Sequence, residues 1–109
     1  MKFEITQQGN FTIIHLKERI DISNAPLLDS LLETKILAGQ NAIILDLTEV
    51  TFVDSSGASV LARIYRLLKE SEGMMILAGC SPYLKRLFST IGFHNIFRIT
   101  ATLDEALLR

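Results

Sequence analysis

Residues 54 to 57 read Asp-Ser-Ser-Gly, set between the apolar stretches around Val53 and Val60. A carboxylate beside two hydroxyls could do three things. It could supply a nucleophile, it could cap a helix, or it could present a hydroxyl to another protein. A nucleophilic serine needs an oriented base, and His94 is a residue that could approach Ser55 in space. No G-x-S-x-G elbow surrounds that serine, however, so a hydrolase is not expected. The cap is the plain alternative. Asp54 or Ser55 can accept from the free N–H groups that open a helix, and Gly57 lets backbone pack closely behind them.

Other enzyme chemistry lacks its parts. There is no G-x-x-x-x-G-K-[ST] and no G-x-G-x-x-G, so no polyphosphate cradle is expected. His15 falls in a strand pattern and His94 in a turn, without metal-ligand spacing. Neighbouring acids such as Asp104 and Glu105 suit the first turn of a helix, where the dipole favours them. No catalytic residue, metal or cofactor is expected. The single cysteine, Cys80, follows an apolar run and reads as a buried, inert thiol.

Composition narrows the partners. Eleven basic and twelve acidic residues give a net charge of −1. The basic residues are scattered, which argues against direct nucleic-acid binding. The chain is 49% hydrophobic and 21% charged, a globular balance. Its 109 residues suit one domain spanning 1–109. The N-terminus lacks an apolar signal region, and no apolar run is long enough to span a bilayer. A soluble cytoplasmic domain without membrane insertion is expected.

The elements that must hold the serine cluster follow from periodicity. Strands are predicted over about Lys2–Thr6 and Phe11–Leu16, with a hairpin turn at Gln8-Gly9-Asn10. A first helix follows, capped by Ser23 or Asn24, with Pro26 in its first turn and Gly39 at its end. Its apolar face is Leu28, Leu31, Leu32 and Ile36. Ala42–Leu47 reads as a strand buried on both faces, broken only by Asp46. A second helix runs from about Ser56 to Ser71, with Arg63 and Arg66 looking outward. Met74–Ala78 is the next strand. A third helix is bracketed by Ser81, Pro82 and Gly92. Ile96–Ile99 is a last strand, and Thr102 with Glu105 has capping-box spacing for a final helix. This alternation predicts an α/β domain: a mixed sheet of about five strands with about four helices, the first two strands a hairpin and the later ones parallel. Asp54–Gly57 then lies where a strand meets a helix N-terminus, the usual place for accessible chemistry in such sheets. "RID", residues 19 to 21, falls at a similar junction.

The wider context is more specific. "LDLTEVTFVDSSGASVL" resembles the anti-sigma factor antagonists, small proteins built on the STAS domain. The resemblance continues in "CSPYLKRLFSTIGF", in "RITATLDEALL" and in "RIDISNAPLLDSLL", and it covers nearly the whole chain. It implies a STAS-type fold. It also implies that Ser55, the serine directly after the aspartate, is phosphorylated by a partner anti-sigma factor with serine kinase activity. Asp54, Ser56 and Gly57 would flank it at the docking surface, and Asp21 matches an acid of an earlier loop near that surface. Glu18 stands where that loop usually has glycine. The family usually adds a metal-dependent serine phosphatase that resets the switch. A second reading is a soluble STAS accessory subunit of a membrane lipid or anion transport system, and a third is a scaffold subunit of a stress-signalling assembly. The intact D-S-S-G favours the antagonist.

A phosphoserine adds a charge of about −1.5 to −2. A helix N-terminus tolerates that charge, so the domain should stay folded. The penalty should fall on a partner surface shaped for a neutral hydroxyl. Beside Asp54 and Asp21, the added charge should weaken binding by a factor on the order of 10² to 10⁴.

Overall fold

In the computed structural model, which describes residues 1–108, the elements run β1 (Phe3–Gln8), β2 (Phe11–Leu16), α1 (Ala25–Leu37), β3 (Ala42–Asp46), α2 (Ser55–Glu70), β4 (Met74–Ala78), α3 (Pro82–Thr90), β5 (Arg98–Ile99) and α4 (Leu103–Leu107). A one-turn 3₁₀ helix, Phe93–Asn95, precedes β5. The strands form one sheet in the order β1-β2-β3-β4-β5. β1 and β2 pair antiparallel, and every later pairing is parallel. This is the mixed α/β sheet expected from the alternation of strand and helix patterns.

Alternation along the strands sorts the core into two layers. Ile14, Leu16, Ile43, Leu45, Met75 and Leu77 face α1, α2 and α3. The residues between them, Ile13, Ile44, Ile76 and Ala78, face the other way, onto Ala106 of α4. β3 and β4 are covered on both sides, which is why they read as continuous apolar runs. Asp46 is the exception. At the end of β3 it receives hydrogen bonds from the N–H and hydroxyl of Thr48 (3.1 and 2.6 Å) and bonds His15 Nδ1 at 2.8 Å. His15 Nε2 reaches Thr6 Oγ1 at 2.9 Å, so this histidine ties β1, β2 and β3 together at their polar end.

Element boundaries depart from expectation in instructive ways. β1 begins at Phe3 and continues to Gln8, because Gly9 (φ +58°) and Asn10 alone make the turn. Asn24 occupies the residue before α1, yet its side chain makes no capping bond there. It points back into the preceding loop instead. Arg63 does not simply look outward: its guanidinium grips Asp29 of α1 through two bonds of 2.8 Å and Glu33 at 3.2 Å. α2 starts at Ser55, one residue earlier than expected. Ser81, Pro82 and Gly92 (φ +83°) bracket α3 as expected, and Thr102 caps α4 through the Glu105 N–H at 3.1 Å. Cys80 is buried, and burial pushes its thiol up to about 12, so it is inert at neutral pH.

Candidate functional site

Asp54 caps α2. Its backbone is extended, and its Oδ1 accepts the N–H of Gly57 at 3.1 Å. Its other oxygen, Oδ2, accepts the N–H of Ile22 at 3.2 Å. One carboxylate therefore fixes both the start of α2 and the loop that follows β2. Sequence left the cap open between Asp54 and Ser55; in the structure Asp54 holds it. Ser55 is the first helical residue, and it is exposed. Among the described residues its hydroxyl has no hydrogen-bond partner, and its N–H and that of Ser56 have no acceptor. These are orphan donors that every helix start carries.

Gly57 is buried for a steric reason. A Cβ at this position would lie 2.7 Å from Ile20 Cγ2 and 3.0 Å from Val53 Cγ1. The first turn of α2 is pressed onto those two side chains. Ile20 and Val53 themselves form an isolated parallel bridge. Two further backbone bonds join the same segments, Ile20 N–H to Phe52 C=O (3.0 Å) and Asp54 N–H to Ile20 C=O (3.1 Å). The bridge was not visible in the sequence, because two residues carry no periodicity. The "RID" and "DSSG" segments are thus physically one unit, which brings Asp21 to the neighbourhood of Ser55.

The loop bearing Asp21 is held from several sides. Asn24, 5% exposed, accepts the Asp21 N–H at 2.9 Å and donates to Arg19 C=O (2.7 Å) and Glu18 Oε1 (2.8 Å). The Glu18 carboxylate also accepts the Lys2 N–H at 3.2 Å. The Asn24 hydrogen bond, above all, holds the Glu18 carboxyl below its usual range. The Asp21 carboxyl is likewise lowered, first by the Ser23 hydroxyl and N–H, and further by Arg19, whose Nε sits 2.9 Å away. Arg19 offsets part of the Asp21 charge, so the surroundings of Ser55 are less acidic than a count of carboxylates suggests.

Apolar surface flanks the serine on both sides. One shallow groove runs between α2 and α3, past Ser55, Ala58, Ala62, Leu87 and Ile91. A second lies between α1 and α2, past Ile22, Pro26, Ser56, Val60 and Arg63. Ile22 projects at its rim, 75% exposed. A free hydroxyl at a helix start between two apolar grooves suits contact with a protein. Among the described residues no group of acids, histidines and cysteines could hold a metal ion. None of the helices there is long and apolar enough to cross a membrane.

The five-stranded mixed sheet and the helix-start serine define a class, the STAS domain, whose family matches residues 2–106. Relatives narrow it. The anti-sigma-B factor antagonist of Bacillus subtilis is 30% identical over 99 residues, 90% of this chain and 89% of that protein. The structure of the anti-sigma factor antagonist SpoIIAA in its unphosphorylated form is 25% identical, with a TM-score of 0.76 over 97% of this chain and 94% of that one. SpoIIAA of Bacillus in the phosphorylated form is equally 25% identical, with a TM-score of 0.75 over 97% and 96% of the two chains. A Thermotoga maritima structure, 24% identical, shares the fold with a TM-score of 0.90, over 96% of this chain and 91% of that one. The chain belongs to the STAS-domain anti-sigma factor antagonist family.

Proposed function

We propose that this protein is a phosphorylation-switched antagonist whose switch is Ser55. In the unphosphorylated form it binds an anti-sigma factor with serine kinase activity and so releases a sigma factor. The observation that carries this reading is the division of labour at the start of α2. Asp54 makes the cap, which leaves the exposed Ser55 hydroxyl without a structural duty and open to a partner. A phosphate there would meet the free N–H groups of Ser55 and Ser56 and the positive end of the helix dipole, so the fold tolerates it. A partner that had buried the neutral hydroxyl would face new charge beside Asp54. Affinity falls for that reason, without a change of fold.

The existence of SpoIIAA in both unphosphorylated and phosphorylated forms supports the same kind of switch here. Asp21, Asp54 and Ser56 belong to the docking surface in this reading, whereas Gly57, expected there from the sequence, is buried and supports that surface from beneath. Asp21 and Asp54 shape its charge, while Gly57 keeps α2 seated on Ile20 and Val53. Incubation with the cognate anti-sigma factor and ATP, followed by mass-spectrometric mapping, tests the assignment. Phosphate on Ser55 is the expected result; phosphate on Ser56 or Ser59 with Ser55 unmodified contradicts it.

A further inference from the structure

β1 is an edge strand that carries few of the usual guards. Its six residues are all exposed and all register with β2, with no bulge. It contains no proline and one charge, Glu4. Natural sheets blunt such edges because the bare backbone templates another strand. The direction of the free groups follows from the ladder. Lys17 N–H donates to Lys2 C=O at 3.0 Å, and antiparallel bonding alternates. Glu4, Thr6 and Gln8 therefore turn their backbone groups toward β2, and Phe3, Ile5 and Gln7 turn theirs outward. Those same residues place Phe3 and Ile5, 40% and 38% exposed, on the side of α1. There Met1, Phe3, Leu27, Ser30, Leu31 and Thr34 line an apolar groove, with Leu27 54% exposed.

We propose that this edge is a homodimer interface in which β1 pairs antiparallel with β1 of a second copy, about a two-fold axis at Ile5. Ile5 then lies opposite the partner subunit's Ile5, and Phe3 opposite the partner subunit's Gln7. This register uses every outward backbone group of Phe3, Ile5 and Gln7, and it sets no like charges directly opposite one another. A second copy fits better than a lone peptide because of what lies beside the strand. A peptide covers the edge alone, whereas the two-fold sets the copy's own α1 on the same face of the joined sheet, beside the groove of Leu27 and Leu31. The area is modest: roughly ten residues a side, against roughly 20–30 in a standard interface. The dimer is therefore weak, and it forms at high protein concentration. It does not depend on the switch at Ser55.

Sedimentation velocity on the full chain, from about 10 μM to about 1 mM, should show the mean mass rising from one chain toward two. Ile5→Lys, which installs a natural edge guard, should hold it at one chain, while Leu37→Lys, at an exposed site outside the patch, should not. Amide exchange of the wild type reads the register directly. The N–H groups of Phe3, Ile5 and Gln7 should gain protection with concentration, and that of Ser55 should not. A single chain at about 1 mM overturns the dimer, as does association that leaves those three amides unprotected. Protection of the three amides by an added extended peptide, with the mass of the protein alone unchanged, assigns the edge to another chain and overturns it equally.

Discussion

The Asp54 carboxylate accepts the Gly57 N–H at 3.1 Å, and that bond relieves Ser55 of any part in holding α2. Under the proposed switch, the structural duty falls on Asp54 and the signalling duty on its neighbour Ser55. Asp54→Ala should lower stability by about 1 kcal/mol through the lost cap, and somewhat more through the lost Ile22 contact. Ser55→Ala should stay within about 0.5 kcal/mol of wild type, as a surface substitution. Urea denaturation of the two variants separates the roles. Equal losses would mean that the serine also caps.

Gly57 makes a sharper test of how α2 is seated. Its added methyl would press on Ile20 and Val53, side chains that are themselves almost fully buried. Gly57→Ala gains helix propensity of about 1 kcal/mol, but overpacking in a filled core costs about 1–3 kcal/mol. The net change should be destabilising, with a fall in the melting temperature measured by calorimetry. A rise would show that the first turn can lift off the bridge without penalty.

Much of this was legible from residue order. All five strands, the last shortened from the expected Ile96–Ile99 to Arg98–Ile99, and the α3 punctuation depend on patterns internal to one segment, such as Ser81-Pro82 before the helix and Gly92 after it. What escaped were relations between segments. The Ile20–Val53 bridge, the grip of Arg63 on Asp29, and the turning of Asn24 away from its helix all depend on which parts of the chain meet. The serine cluster was legible as a cluster. Its division into a capping aspartate and a free serine was not, because Asp and Ser are equally good caps.

The Asp46 carboxylate predicts an acid-sensitive joint. Burial pushes its pKa up, but hydrogen bonds from Thr48 and His15 outweigh that and leave it lowered. A carboxyl lowered on folding contributes stability that is present above its unfolded pKa of about 3.9 and is lost as pH falls through the folded value. Asp46→Asn should therefore be less stable than wild type at neutral pH, and the gap should close below about pH 4. Urea titrations of both proteins across that range measure it. A gap that persists at low pH would place the effect in packing instead of ionisation.

Charge at residue 55 should act on partners and spare the fold. Ser55→Asp keeps α2, since an acid in the first turn favours the dipole. Far-UV circular dichroism and the unfolding midpoint should match wild type, while binding to the anti-sigma factor is lost. A variant that unfolds would return Ser55 to a structural role. Ser55→Ala should bind and resist release when the kinase and ATP are supplied.

The central claim is that one phosphate on Ser55 separates a binding form from a non-binding form of the same fold. Isothermal titration of the cognate anti-sigma factor with unmodified protein and with protein phosphorylated at Ser55 tests it directly. The phosphorylated form should bind more weakly by a factor on the order of 10² or more, with its circular dichroism unchanged. Equal affinities of the two forms would contradict it.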